Sequence, residues 1–184
     1  MSTPSQKRPR SLAAAIWGVF GTAAVLMEAI VRLASIAVDS LTRERLTPLQ
    51  IAFFVAWMAF ILYAEAYRGF QKRFSPRVVA RAFYLADHPR PLHVALAPLY
   101  CMALFHTTRR RLIATWILVL GIVSVIVAVR YVPPIYRGII DGGVACALAW
   151  GTVVMIINFF QRLRGVEMPV PPDVPEEPGS KRSD

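Results

Sequence analysis

Charge is what this chain has least of. Asp, Glu, Lys and Arg make up only 17% of its 184 residues, against 56% hydrophobic ones, too little to clothe an ordinary soluble domain. Lysine is scarcer still, with three lysines beside 18 arginines, and Asn158 is the only asparagine. That bias fits a GC-rich bacterial genome. The two cysteines, Cys101 and Cys146, lie apart in apolar surroundings without CxxC spacing. They imply no disulfide and read as small buried hydrophobes. Walker A, GxSxG, HExxH and paired-carboxylate patterns are missing, so the common signatures give no support for an enzyme or a cofactor.

What the chain does have is a series of long apolar runs with arginine crowded between them. Bilayer solvation sorts residues in this way. The fold class expected is therefore an all-α integral membrane protein of a bacterial cytoplasmic (inner) membrane. A net charge of +10 reads as positive-inside bias and attraction to anionic lipid headgroups. Nucleic acid is not an expected partner, because no soluble domain presents the basic residues.

Residues 1–11 are basic and resemble the start of a signal peptide. The apolar run that follows is longer than a cleavable signal needs, so an uncleaved span with a cytoplasmic N-terminus is expected over 12–38. Thr47-Pro48 offers the start of a second helix, giving a span over 49–67. Residues 112–129 form an uninterrupted uncharged run and a third span. A fourth, 138–160, carries Gly138, Gly142, Gly143, Ala147 and Gly151 at spacings that let its backbone approach a neighbour. Four transmembrane helices then form two hairpins. The tail, 161–184, is rich in proline and mixed charge and is expected to be disordered in the cytoplasm.

Between the hairpins lies the stretch that decides topology. Over residues 76–88, Arg77, Arg81, Tyr84 and His88 recur on one face and Val78, Val79, Ala82, Phe83 and Ala86 on the other, predicting a cytoplasmic helix lying in the interface. Leu92 to His106 is apolar but contains Pro98 and is short for a span, so a re-entrant or interfacial course is expected within 76–106. If this stretch does not cross, 16 basic residues lie on the cytoplasmic side and four outside; if it crosses, the count becomes 11 against nine. Only the first keeps the asymmetry that sets orientation, so both termini are placed in the cytoplasm.

Two sets of candidate site residues follow. Glu28, Arg32 and Asp141 lie inside apolar spans, where an uncompensated charge costs at least ~2.5–3.5 kcal/mol on insertion scales; an intramembrane polar cluster between the first and fourth spans is expected. Glu65, Arg68, Arg109, Arg110 and Arg111 converge on one face if the short stretch turns back, and would contact an anionic headgroup. His93, Cys101 and His106 are spaced eight and five apart, which puts no two a helical turn from each other, so no metal site is expected. The leading reading is a small polytopic protein acting through lipid contacts, a membrane-protein partner or a homo-oligomer. A small transporter or channel using the polar cluster is the alternative, and a lipid-modifying membrane enzyme the third class.

Overall fold

The computed structural model describes residues 11–43 and 46–174. Expectations that fall on residues 1–10, 44–45 and 175–184 lie outside the described residues. Among the described residues the chain is all-helical, and four of its helices are long and apolar enough to cross a membrane. They begin with α1 (Leu12–Arg43). Next comes one continuous helix, Pro48–Asp87, built of α2 (Pro48–Ile61), a π-helical segment (Leu62–Phe74) and α3 (Ser75–Asp87). Two short helices follow, α4 (Pro91–Ala95) and α5 (Ala97–Cys101), then α6 (Arg109–Val129) and α7 (Pro134–Leu163).

The start of α2 follows its sequence signal. The Thr47 hydroxyl accepts from the Gln50 backbone N–H at 3.4 Å, and the Gln50 side-chain oxygen accepts from the Thr47 N–H at 2.8 Å. With Pro48 in the first turn, this reciprocal cap fixes where the chain enters the helix.

The small residues of α7 form two rows that face two different helices. On one side a Cβ built on Gly138 would lie 2.6 Å from Ser40 Cβ, and one on Gly142 would lie 3.3 Å from Ala37 Cβ, so α1 packs backbone to backbone against α7 here. On the other side a Cβ on Gly143 would meet Trp57 Nε1 at 2.5 Å, and one on Gly151 would meet Phe70 Cδ1 at 2.5 Å. Dispersion between closely approaching backbones is what holds helices together where the surroundings are as apolar as the side chains. At the lower end α1 meets α7 again through Phe20 and Phe159, whose ring centroids are 5.8 Å apart.

Residues 75–87 correct the expectation of a separate helix lying flat in an interface. The α3 helix continues the second long helix without a break, and both of its faces are covered: Val78, Val79, Ala82, Phe83, Leu85 and Ala86 are buried, and so is Arg81. Nine of the 13 residues of α3 are buried, with α1, α5 and α7 packed against it. Pro76, which would crowd the carbonyl four residues before it in an α-helix, directly follows the wide π-helical segment. Ser75 donates its hydroxyl proton to the Gly151 carbonyl at 2.8 Å and ties α3 to α7.

Residues 92–106 run out and back at the same end of the bundle. They form α4, α5 and a turn, and α5 is seated on α1, where Gly18 and Gly21 leave room for Cys101 and Pro98. The tail also departs from expectation. Residues 166–174 run along α3, with Met168 and Val174 packed against the core, because prolines hold this segment extended and α3 offers it an arginine face. By contrast α6 stands clear of the other helices, with Ile113, Trp116, Ile117, Leu120, Ile122 and Val123 exposed.

Replacing Gly151 by leucine is expected to destabilise the fold by about 1–3 kcal/mol through overpacking against Phe70, seen as a lower melting temperature in detergent. Gly121→Ala on α6, where nothing lies within 4 Å of the added Cβ, should leave it unchanged or slightly raised.

Candidate functional site

At the end of the bundle where α3, α5 and the tail meet, one side chain ties the pieces together. Arg81 has 0% of its surface exposed. Its Nε donates to the Tyr100 carbonyl at 2.7 Å, Nη1 to the Pro172 carbonyl at 2.9 Å, and Nη2 to the carbonyls of His106 at 3.1 Å and Phe105 at 3.3 Å. The guanidinium carbon also lies 4.3 Å from the centre of the Tyr100 ring. A buried guanidinium is tolerable only when its donors are met, and here backbone carbonyls from two separate segments meet them.

The turn that supplies these carbonyls is bent to do so. Ala103 and His106 have φ of 59° and 49°, the left-handed region that costs a non-glycine residue about 1–2 kcal/mol. Charge-assisted hydrogen bonds of about 1.5–3 kcal/mol each offset that cost. The bend also gathers side chains that are distant in sequence. His93 and His106 have ring centroids 4.5 Å apart, and His93 stacks on Tyr100 at 5.2 Å. Burial pushes the Tyr100 phenol and the Cys101 thiol each up to about 12, so both stay neutral and Cys101 is an inert packing residue. His93 is held below its usual 6.5, first by burial and then by His106, Arg90 and Arg81.

Next to Arg81 lies a second layer of arginines. Arg77 lies one turn before Arg81 on α3, and the half-buried Arg111 lies in the first turn of α6, where Arg77, Asp173, Arg81 and Arg73 all act on its charge. Asp173 joins this set through its carboxylate, 2.9 Å from Arg77 Nε. Its backbone carbonyl accepts from the Thr107 hydroxyl at 2.8 Å and from the Thr108 N–H at 3.3 Å. The Arg111 Nε atom is buried without a hydrogen-bond partner.

The structure separates the residues expected to form an intramembrane polar cluster. Glu28 and Arg32 pair with each other at 3.1 Å, one turn apart on α1, with side chains 73% and 74% exposed. Asp141 on α7 is buried and faces Arg137 at 3.5 Å, at the level where α7 meets Ala37 of α1. Glu28 is nine positions from Ala37, roughly 13 Å along a helix. Residues four apart on one helix meet by local geometry alone, whereas nothing local says which level of α7 lies opposite.

Of the expected headgroup residues, Glu65, Arg68, Arg109 and Arg110 are exposed and Arg111 is half-buried. The sequence reading missed Arg73, Arg77, Arg81 and Asp173. A usable signal was present: the apolar positions 78, 79, 82, 83, 85 and 86 wrap most of α3, leaving too narrow a polar face for a helix floating on a surface. His93 and His106, separated by spacing alone, meet because the turn folds back. Among the described residues no group of three or more His, Cys, Asp or Glu could hold a metal ion.

No family model, no curated protein and no solved structure matches this chain.

Because His93 is depressed in the folded state, the unfolded chain binds more protons just below 6.5. The stability it contributes is present above about pH 6.5 and is lost as pH falls through the folded value. Melting temperatures measured from pH 7.5 down to 5 should fall, and His93→Gln should flatten that dependence. Arg81→Lys keeps the charge but not the planar fork, so it should melt several degrees lower than the native chain, with faster proteolysis of residues 164–174.

Proposed function

We propose that this is a multi-pass protein of a bacterial cytoplasmic membrane, with both termini in the cytoplasm, that works by contact and not by turning over a substrate. Its arginine-rich end meets anionic lipid headgroups, and its spans meet a membrane-protein partner or a second copy. The observation that carries this reading is the meeting of two basic clusters at one end of the bundle, where the Asp173 carboxylate accepts from Arg77 of α3 at 2.9 Å and its carbonyl accepts from Thr107 and Thr108, at the head of the Arg109–Arg111 turn. An apolar stretch that leaves and returns at the same end is re-entrant or interfacial. That course puts all the clustered arginine on one side, the cytoplasmic one by the charge rule. There α3, α4 and α5 form a cap at headgroup level, and Arg68 of the π-helical segment and Arg109 and Arg110 at the start of α6 are exposed.

Contact along the spans has its own support. The Glu28–Arg32 pair is exposed and sits on α1 between the Phe20 and Ala37 contacts with α7. In this reading that is membrane depth, where exposed ionised groups are expensive. Another protein helix would cover them at lower cost than lipid does.

The test is retention of anionic lipid. In native mass spectrometry from mixed phosphatidylglycerol and phosphatidylcholine, the native protein should keep phosphatidylglycerol. The Arg68→Gln, Arg109→Gln, Arg110→Gln triple variant should lose at least roughly tenfold in that preference, from ~1 kcal/mol per arginine near an anionic surface. Equal retention of the two lipids by the native protein would count against the reading.

A further inference from the structure

Around Arg111 the charges do not balance. Arg77, with Arg73 and Arg81 one turn to either side of it on the same long helix, meets Asp173 at 2.9 Å, and Asp173 meets Thr107 and Thr108 at the head of α6, whose first turn holds Arg111. Arg81 is satisfied by carbonyl oxygens, which meet its donors but leave its charge in place. Arg77 uses Nε on the Asp173 carboxylate and Nη1 on the Arg73 carbonyl at 3.3 Å. Arg111 has a buried Nε with no acceptor. The first turn of α6 adds to the excess, because it contains Arg109, Arg110 and Arg111 and no acidic residue, at the helix end where cations are least favoured. Two partly buried guanidiniums, Arg77 and Arg111, with the exposed Arg73 beside them, call for an anion that accepts from more than one of them, and a tetrahedral phosphate group has the oxygens to do so.

Asp173 already behaves as such an anion. It arrives on the tail, is held by the Thr107 hydroxyl and the Thr108 N–H through its carbonyl, and sits with φ of 49°. Aspartate tolerates that region better than most residues, and these contacts hold it there. The carboxylate offers one negative charge to a cluster that carries several positive ones.

We propose that Arg73, Arg77 and Arg111 form a binding site for a phosphate group, which the Asp173 carboxylate of the tail occupies in the absence of ligand, so that phosphate binding and tail release are linked. The phosphate has two possible sources, a lipid headgroup or a free phosphate, with the same recognition chemistry. The site rests on the headgroup reading above only for the first source. By linkage, whatever displaces the tail is weakened by the tail's own affinity, and a tail that cannot compete makes the ligand bind more tightly.

The experiment uses the full-length protein and its Asp173→Asn and Arg111→Gln variants. One arm titrates inorganic phosphate into protein in neutral detergent, and the other titrates nanodiscs of phosphatidylcholine with and without phosphatidic acid. Loss of one charge-assisted contact corresponds to roughly tenfold, so Asp173→Asn should bind about tenfold more tightly in whichever arm holds the ligand, and Arg111→Gln should lose binding there. In the native protein the ligand should speed hydrogen exchange at the Thr108 amide, which the tail carbonyl protects. A response in the phosphate arm identifies a free phosphate as the source, and a response to phosphatidic acid alone identifies the headgroup. Binding of phosphate or phosphatidic acid that is the same in the native and Asp173→Asn proteins, with Thr108 exchange unchanged, overturns the site while leaving lipid contact through Arg68, Arg109 and Arg110 intact. No response in either arm from any of the proteins overturns it as well. Tightening by Asp173→Asn in the phosphate arm without any phosphatidylglycerol preference would instead keep the site and remove the headgroup reading.

Discussion

A guanidinium sealed from solvent persists only where other oxygens take the place of its water. Arg81 meets that condition with carbonyls of Tyr100, Phe105, His106 and Pro172, and the consequences spread from there. The turn after α5 must bend to aim its carbonyls, so Ala103 and His106 take left-handed backbone. That bend brings the chain back to the end it left, which fixes where α6 begins. The tail must also stay against α3, since Pro172 completes the set. One charge thereby holds together a helix, a return turn and a tail that are far apart in sequence.

The rest of the bundle is held by the absence of side chains more than by their presence. Along α7 the glycines at 138 and 142 admit α1, and those at 143 and 151 admit the second long helix. Among the described residues the first two long helices pack on each other chiefly at α3. Above that level both lean on α7. The α6 helix takes no part in this packing, and its apolar sides are open. Rigid contact at one end and a free helix beside it suit a protein that receives something from its surroundings, whether a headgroup at the arginines or a helix along the spans.

How far this was readable from sequence varies with the range of the interaction concerned. The four long apolar helices and the Thr47 cap are local, periodic or compositional features and are present as expected, although the second helix runs on to Asp87, well past the end that hydropathy suggested. The charge count favours a non-crossing course for residues 92–106, because bilayer energetics constrain arginine over the whole chain, and in the fold His93 and His106, near its two ends, lie together. Arg81 was not. On a helix wheel it falls beside Arg77 and Tyr84, and nothing local says that a turn 19 to 25 residues later will bring carbonyls to it. The separation of Asp141 from Glu28 and Arg32 has the same origin: which level of α7 faces which level of α1 depends on glycines that fit only once both helices are in place.

The claim on which the account depends is that residues 92–106 return to the side they came from. It is tested most directly by labelling single cysteines at Lys72 and Arg110, in a background with Cys101 and Cys146 replaced by serine and alanine, with a membrane-impermeant maleimide in intact and in opened cells. The account predicts that both positions are shielded in intact cells and labelled together once the cytoplasmic face is opened. Labelling of Arg110→Cys from outside, with Lys72→Cys shielded, would contradict it.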